Sequence, residues 1–132
     1  MRSNAMKREV MEKWVHALRH GNYGQTYGYL REESDPIEEP GEYAYCALGV
    51  LCDVYVKEQC DGDWGSLCRP QSYGETPPPA VIEWAGLSCR DPDVNVTAHG
   101  EEEHYESISE INDAGVEFSK LASLIEEQWE KL

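Results

Sequence analysis

The run YCALGVLCD, residues 45–53, places a thiol where an apolar helix begins. A thiol at a helix N-terminus feels the positive end of the peptide dipole, which lowers its pKa and raises its thiolate fraction. Cys46 is therefore a candidate nucleophile, provided that a base serves it. His99 and His104 are the candidate bases, and Asn112 or Asp113 is placed to orient one of them. The competing reading is plainer and commoner. Free cysteines usually pack as small apolar side chains, and Cys46 and Cys52 fit that role. His99 and His104 lie in a polar, acidic stretch, and no motif ties either to Cys46. Asn112 and Asp113 stand beside Gly115, where such residues commonly make turns and caps.

Metal chemistry has less support. His16 and His20 are four apart and share one side of a helix, but no third ligand is evident nearby. Asp61, Gly62 and Asp63 match a fragment of a calcium loop whose later ligands are missing. The five cysteines, Cys46, Cys52, Cys60, Cys68 and Cys89, show neither a C-x-x-C pair nor zinc spacing. No metal or cofactor is expected. The step from Tyr45-Cys46 into an apolar helix resembles the entry to the nucleophile helix of papain-like enzymes, as a likeness of local shape alone.

Composition narrows the function classes. The net charge of −15 over 132 residues argues against a general nucleic-acid binder, which needs a basic face for phosphates. It favours a basic partner. Charge is uneven: Lys7, Arg8, Lys13 and Arg19 stand near the start, while Glu32, Glu33, Asp35, Glu38, Glu39 and Glu42 crowd a later stretch. No apolar run is long enough for a membrane span, and no signal-peptide core follows the first basic residues. A cytoplasmic protein with free thiols is expected. Asn95-Val96-Thr97, a glycosylation match, carries no meaning in that compartment. MRSNA, residues 1–5, reads as a cloning leader, leaving 6–132 as one domain.

The elements that must position these residues are partly legible. Val10, Met11, Trp14, Val15 and Leu18 predict a first helix that stops at Gly21. The tyrosine-rich stretch predicts a strand at 27–31, an acidic loop at 32–41 and a returning strand at 42–45. A second helix over about 46–58 is apolar nearly all round and should be central. Gly49 inside it implies close packing against its backbone. Pro79 should open a short helix that Gly86 ends. A turn and short strand follow at 91–97, then a polar loop. Ser107 and Glu110 form a capping box. The apolar phase from Ile111 through Phe118, Leu121 and Ile125 is kept across Gly115, which favours one continuous last helix. The apolar end EEQWEKL is free to extend into a partner, and oligomeric state is not readable.

The four blocks WVHALRHGNYGQTYGYL, YCALGVLCD, PPAVIEWAGL and SISEINDAGVEFSKLASLIEE, in that order, resemble a group of small phage and prophage proteins. The group shows a Tyr-Cys-(Cys/Ala)-Leu-Gly-Val-Leu-Cys-Asp signature and a C-terminal (Leu/Ile)-Asn-Asp-x-Gly signature that commonly runs on as x-Ser-Phe. The resemblance spans most of residues 10–127, with Ala47 where a second cysteine is common and Glu117 where serine is common. It implies a phage-related origin, and hence the host cytoplasm, but no activity.

The sequence thus predicts an α+β fold, mainly helical, with a central helix two, flanking first and last helices and a small antiparallel sheet; an all-α fold is the alternative. Trp14, Leu18, Phe118, Leu121 and Ile125 should pack the outer helices against helix two. Two functions remain open. One is a non-enzymatic acidic accessory module that binds a host protein with a basic surface; its sharper version mimics DNA. The other is a small thiol-dependent hydrolase or transferase built on Cys46, His99 or His104, and Asp113.

Overall fold

The computed structural model describes residues 6–35, 37–64, 76–97 and 102–132. Helix α1 (Arg8–His20) leads to β1 (Gly24–Gln25), β2 (Arg31–Asp35) and β3 (Glu39–Tyr45). Helix α2 (Ala47–Gln59) follows, then α3 (Pro79–Ala85), β4 (Asp93–Asn95) and β5 (Tyr105–Ser107). Helices α4 (Ile108–Asp113) and α5 (Phe118–Gln128) and a final 3₁₀ turn (Trp129–Lys131) complete the order. The fold is α+β and mainly helical, as the sequence predicts. No described helix is long and apolar enough to cross a membrane.

One core joins these elements. Helix α2 lies at its centre: residues 47–52 are fully buried, consistent with apolar side chains on every face. Helix α1 packs on both α2 and α5, while α4 lies on α2. The main partner of α5 is thus α1, and its short neighbour α4 supplies the contact with the central helix. Trp14, Leu18, Phe118, Leu121 and Ile125 are all buried as expected. Buried Trp14 donates its Nε1–H to the Ala47 carbonyl at 2.9 Å, so the largest core side chain keeps no unpaired polar atom. Leu132 is fully buried and its carbonyl accepts from Ser88, so the end read as free to extend is folded inward.

The three-stranded sheet has the order β1-β3-β2, with β1 parallel and β2 antiparallel to β3. The predicted strand at 27–31 is shifted along the chain. Gly28 stands at φ +80°, which an extended strand forbids, so pairing starts only at Arg31. The predicted hairpin is present, but most of its predicted acidic loop is strand: β2 and β3 take in all but the few residues between Asp35 and Glu39. An edge strand tolerates these carboxylates because Glu32 faces water while half-buried Glu33 and Asp35 accept main-chain amides of the turn. The register shifts between Glu33 and Asp35, opposite the strand in which Gly41 takes φ +88°. The polar loop at 99–106 also gains order at its end: β5 pairs with β4, Asn95 facing Tyr105.

The last helix breaks at Gly115, against the continuous reading. Gly115 takes φ +90°, its N–H bonds the Asn112 carbonyl, and the Val116 N–H bonds the Ile111 carbonyl. This paired closure ends α4, and α5 restarts with its apolar phase intact. Phase alone therefore could not distinguish one helix from two. The capping box is present as predicted: Ser107 accepts from the Glu110 N–H, and the Glu110 carboxylate accepts from the Ser107 N–H. Gly86 ends α3 at φ +78°.

Candidate functional site

Cys46 is the N-cap of α2, the position the sequence assigns it, and its Sγ accepts the Gly49 N–H at 3.3 Å. Its surroundings are not those of a reactive thiol. Cys46 is buried, and burial pushes its pKa up to about 11 against the lowering effect of the Gly49 and Leu48 amides. The magnitudes explain the outcome. A helix terminus contributes about 0.3–1 kcal/mol, whereas full desolvation shifts a pKa by up to ~3–5 units. The nearby Asp113 carboxylate raises the pKa further, the wrong sign for activation.

The proposed bases are elsewhere or outside the described residues. His104 is exposed, its Nε2 3.4 Å from the Glu106 carboxylate. His99 and Cys68 lie outside the described residues. Asp113 is exposed and its Oδ1 accepts from the Gly28 N–H at 3.0 Å and from Asn112 Nδ2 at 3.1 Å. Cys46 and Asp113 are brought near each other, but by the scaffold around Asn112. His16 and His20 are exposed, with ring centroids 5.1 Å apart. Asp61 and Gly62 form the turn that closes α2, the Gly62 N–H bonding the Val56 carbonyl. No group of three or more metal-ligating side chains occurs among the described residues.

Two polar centres were not legible as such. Asn112 is fully buried and uses its whole amide. Its Oδ1 accepts from Gln25 Nε2 at 2.9 Å and from the Ala47 N–H at 3.0 Å, while its Nδ2 also donates to the Thr26 carbonyl at 2.9 Å. It thus joins β1, the start of α2 and the α4–α5 turn. The second centre is buried Asp53, whose carboxylate accepts from Tyr23 Oη, from Trp64 Nε1 at 2.9 Å and from Lys57 Nζ at 3.1 Å. Burial, then the Asp53 bond, pushes Tyr23 up to about 12. Its hydrogen bond to Tyr23 likewise raises Lys57. The pair Asp53 and Lys57, four apart on an apolar helix, was the available signal. Both centres are satisfied within the fold, and no described buried side-chain polar atom lacks a partner.

The β2–β3 hairpin is different in kind. Six acidic residues and one cation, Arg31, occupy residues 31–45. The tip is shaped by Asp35, whose Oδ1 accepts from the Ile37 and Glu38 amides, and by Glu33, which accepts from the Gly41 N–H. Those bonds hold Ile37 out at 88 % exposure. Tyr43 is exposed, with the Arg31 guanidinium 3.9 Å from its ring centre and 4.5 Å from that of Trp64. Tyr27 and Tyr29, each half-exposed, flank Gly28 at the base of the hairpin. Apolar and aromatic surface therefore stands among carboxylates on a braced ribbon, an arrangement suited to contact rather than covalent chemistry.

Comparison with known proteins adds one match. The model of DUF8296, a domain of unknown function, matches residues 6–129. No curated protein and no solved structure matches the chain.

Proposed function

The chain belongs to the DUF8296 family, and from that premise we propose that it is a phage- or prophage-type accessory module that acts in the host cytoplasm without catalysis, binding a host protein through its acidic hairpin. The observation that carries the reading is Ile37, held at 88 % exposure beside Glu38 on a strand pair rich in carboxylates. A partner with lysine or arginine around a small apolar depression meets both features. The excess negative charge steers encounter, and the apolar tip and Tyr43 lengthen residence. The order of the four sequence blocks supports the phage-type origin. The thiol-enzyme alternative has no comparable support, because burial favours packing for Cys46.

The test is capture of partners from a host extract, followed by titration of the purified partner against wild type and against a Glu38→Lys/Glu42→Lys double variant. The variant is expected to bind at least about tenfold more weakly, a loss of about 1.4 kcal/mol, and wild-type affinity should fall as salt rises. Equal affinity for the two proteins would overturn the reading.

A further inference from the structure

We propose that the groove between the β4–β5 ribbon and the α4–α5 turn is a second contact point for the same partner, a socket for an apolar side chain flanked by lysine or arginine. This rests on the reading of that partner as basic. The groove encloses about 430 Å³, within the ~300–1,000 Å³ range of small binding clefts. Val96, Ile111, Val116 and Leu124 line it with apolar surface, while Glu106, Glu127 and Lys120 stand among its polar lining.

Three observations specify the occupant. First, the adjoining strand is closed to a partner strand at Asn95. The Asn95 N–H donates to Gln128 Oε1 at 2.7 Å, and its carbonyl accepts from Gln128 Nε2 at 2.9 Å. Recognition there must run through side chains rather than main-chain pairing. Second, Glu127 and Glu106, the latter 3.4 Å from His104 Nε2, stand against one ammonium in a chain of net charge −15 and favour a cation beside the apolar group. Third, the groove is pinned to the hairpin base. Gln25 Nε2 donates to the Val116 carbonyl at 2.9 Å, and Asp113 holds the Gly28 N–H between Tyr27 and Tyr29. These bonds hold the groove and the hairpin base in a fixed relation to each other.

The experiment uses the intact protein and two fluorescein-labelled peptides, one alternating leucine with lysine and one with serine in place of each leucine. Wild type is expected to bind the leucine peptide about tenfold more tightly or better, the worth of one buried leucine. The methyl resonances of Val96, Ile111, Val116 and Leu124 should shift with it. Ala114 lines the groove and is solvent-exposed, so Ala114→Trp should plug the groove and erase the leucine preference. Absence of a leucine preference in wild type, its survival in Ala114→Trp, or methyl shifts confined elsewhere would overturn the groove. The wild-type methyl shifts decide the matter should that variant fail to fold. If Glu38→Lys/Glu42→Lys leaves serine-peptide binding untouched while the groove responds, the hairpin reading fails and the socket stands.

Discussion

The N-terminus of α2 and the tip of the β2–β3 hairpin are close in sequence, and they treat their polar groups in opposite ways. At the first, Asn112 answers the Ala47 N–H and the Thr26 carbonyl, and even Cys46 accepts a main-chain amide. At the second, main-chain amides are answered by Asp35 and Glu33, but Ile37 is left to water and Tyr43 is covered only by the Arg31 guanidinium on its ring. Both regions are locally ordered by side-chain-to-backbone bonds. The difference is that the first spends its chemistry on the fold, whereas the second presents surface that the fold does not use. Conspicuous residue types therefore mark structure here, and the surface proposed for interaction is made of commonplace glutamates and one isoleucine.

Mutations that break this contrast should differ widely in effect. Gly49→Ala should cost the most stability. A β-carbon there would lie 1.7 Å from the Leu30 carbonyl oxygen, backbone that cannot give way without losing its bond to the Cys46 N–H. A loss of about 4 kcal/mol or failure to fold is expected, measured by urea denaturation. Asn112→Ala should cost about 3 kcal/mol by the same measurement, because the Ala47 amide and Thr26 carbonyl lose a buried partner. Asn112→Asp should not rescue it, since a carboxylate cannot donate to Thr26 and would bury a charge.

Cys46 sharpens the comparison through pH. Its folded pKa of about 11 lies above the ordinary thiol value of 9.0, so the unfolded chain releases its proton first as pH rises. This contribution to stability is complete below about pH 9 and is lost as pH climbs through about 11. Tyr23, raised from 10.0 to about 12, adds a loss at still higher pH. Cys46→Ser should flatten the first part of that alkaline decline, and Cys46 should resist alkylation near neutral pH until the chain unfolds. Fast alkylation of the folded protein would return the thiol to candidacy as a nucleophile. The smallest stability effects belong to the hairpin: Ile37→Ser and Glu38→Lys/Glu42→Lys should each stay within about 0.5 kcal/mol of wild type in urea, while weakening partner binding.

Periodicity made α1, α2, α3 and the halves of the last helix readable, because each has an apolar stripe or an apolar core run. Gly49 signalled close packing, and Leu30 proves to be what packs there. Pairing was harder to read. Strand β2 carries no apolar alternation, since an edge strand over solvent has little to bury, and β1 has only two residues. The break at Gly115 was hidden because α5 resumes in phase. Asn112 looked like a cap residue because its sequence neighbours make a turn. Its burial depends on β1 and α2, which lie some 65 residues or more away along the chain. The candidate surface was legible as charge and as a returning strand pair, but the acidic residues were placed in its loop rather than in its strands.

The Gln128 amide described above has a consequence for the life of the protein at high concentration. Bonded to both main-chain groups of Asn95, it stands in for one residue of a neighbouring strand. A glutamate could accept there but not donate, and an asparagine would be one methylene short. The helix thereby supplies a false neighbour that keeps the short β4–β5 ribbon from templating growth onto other chains.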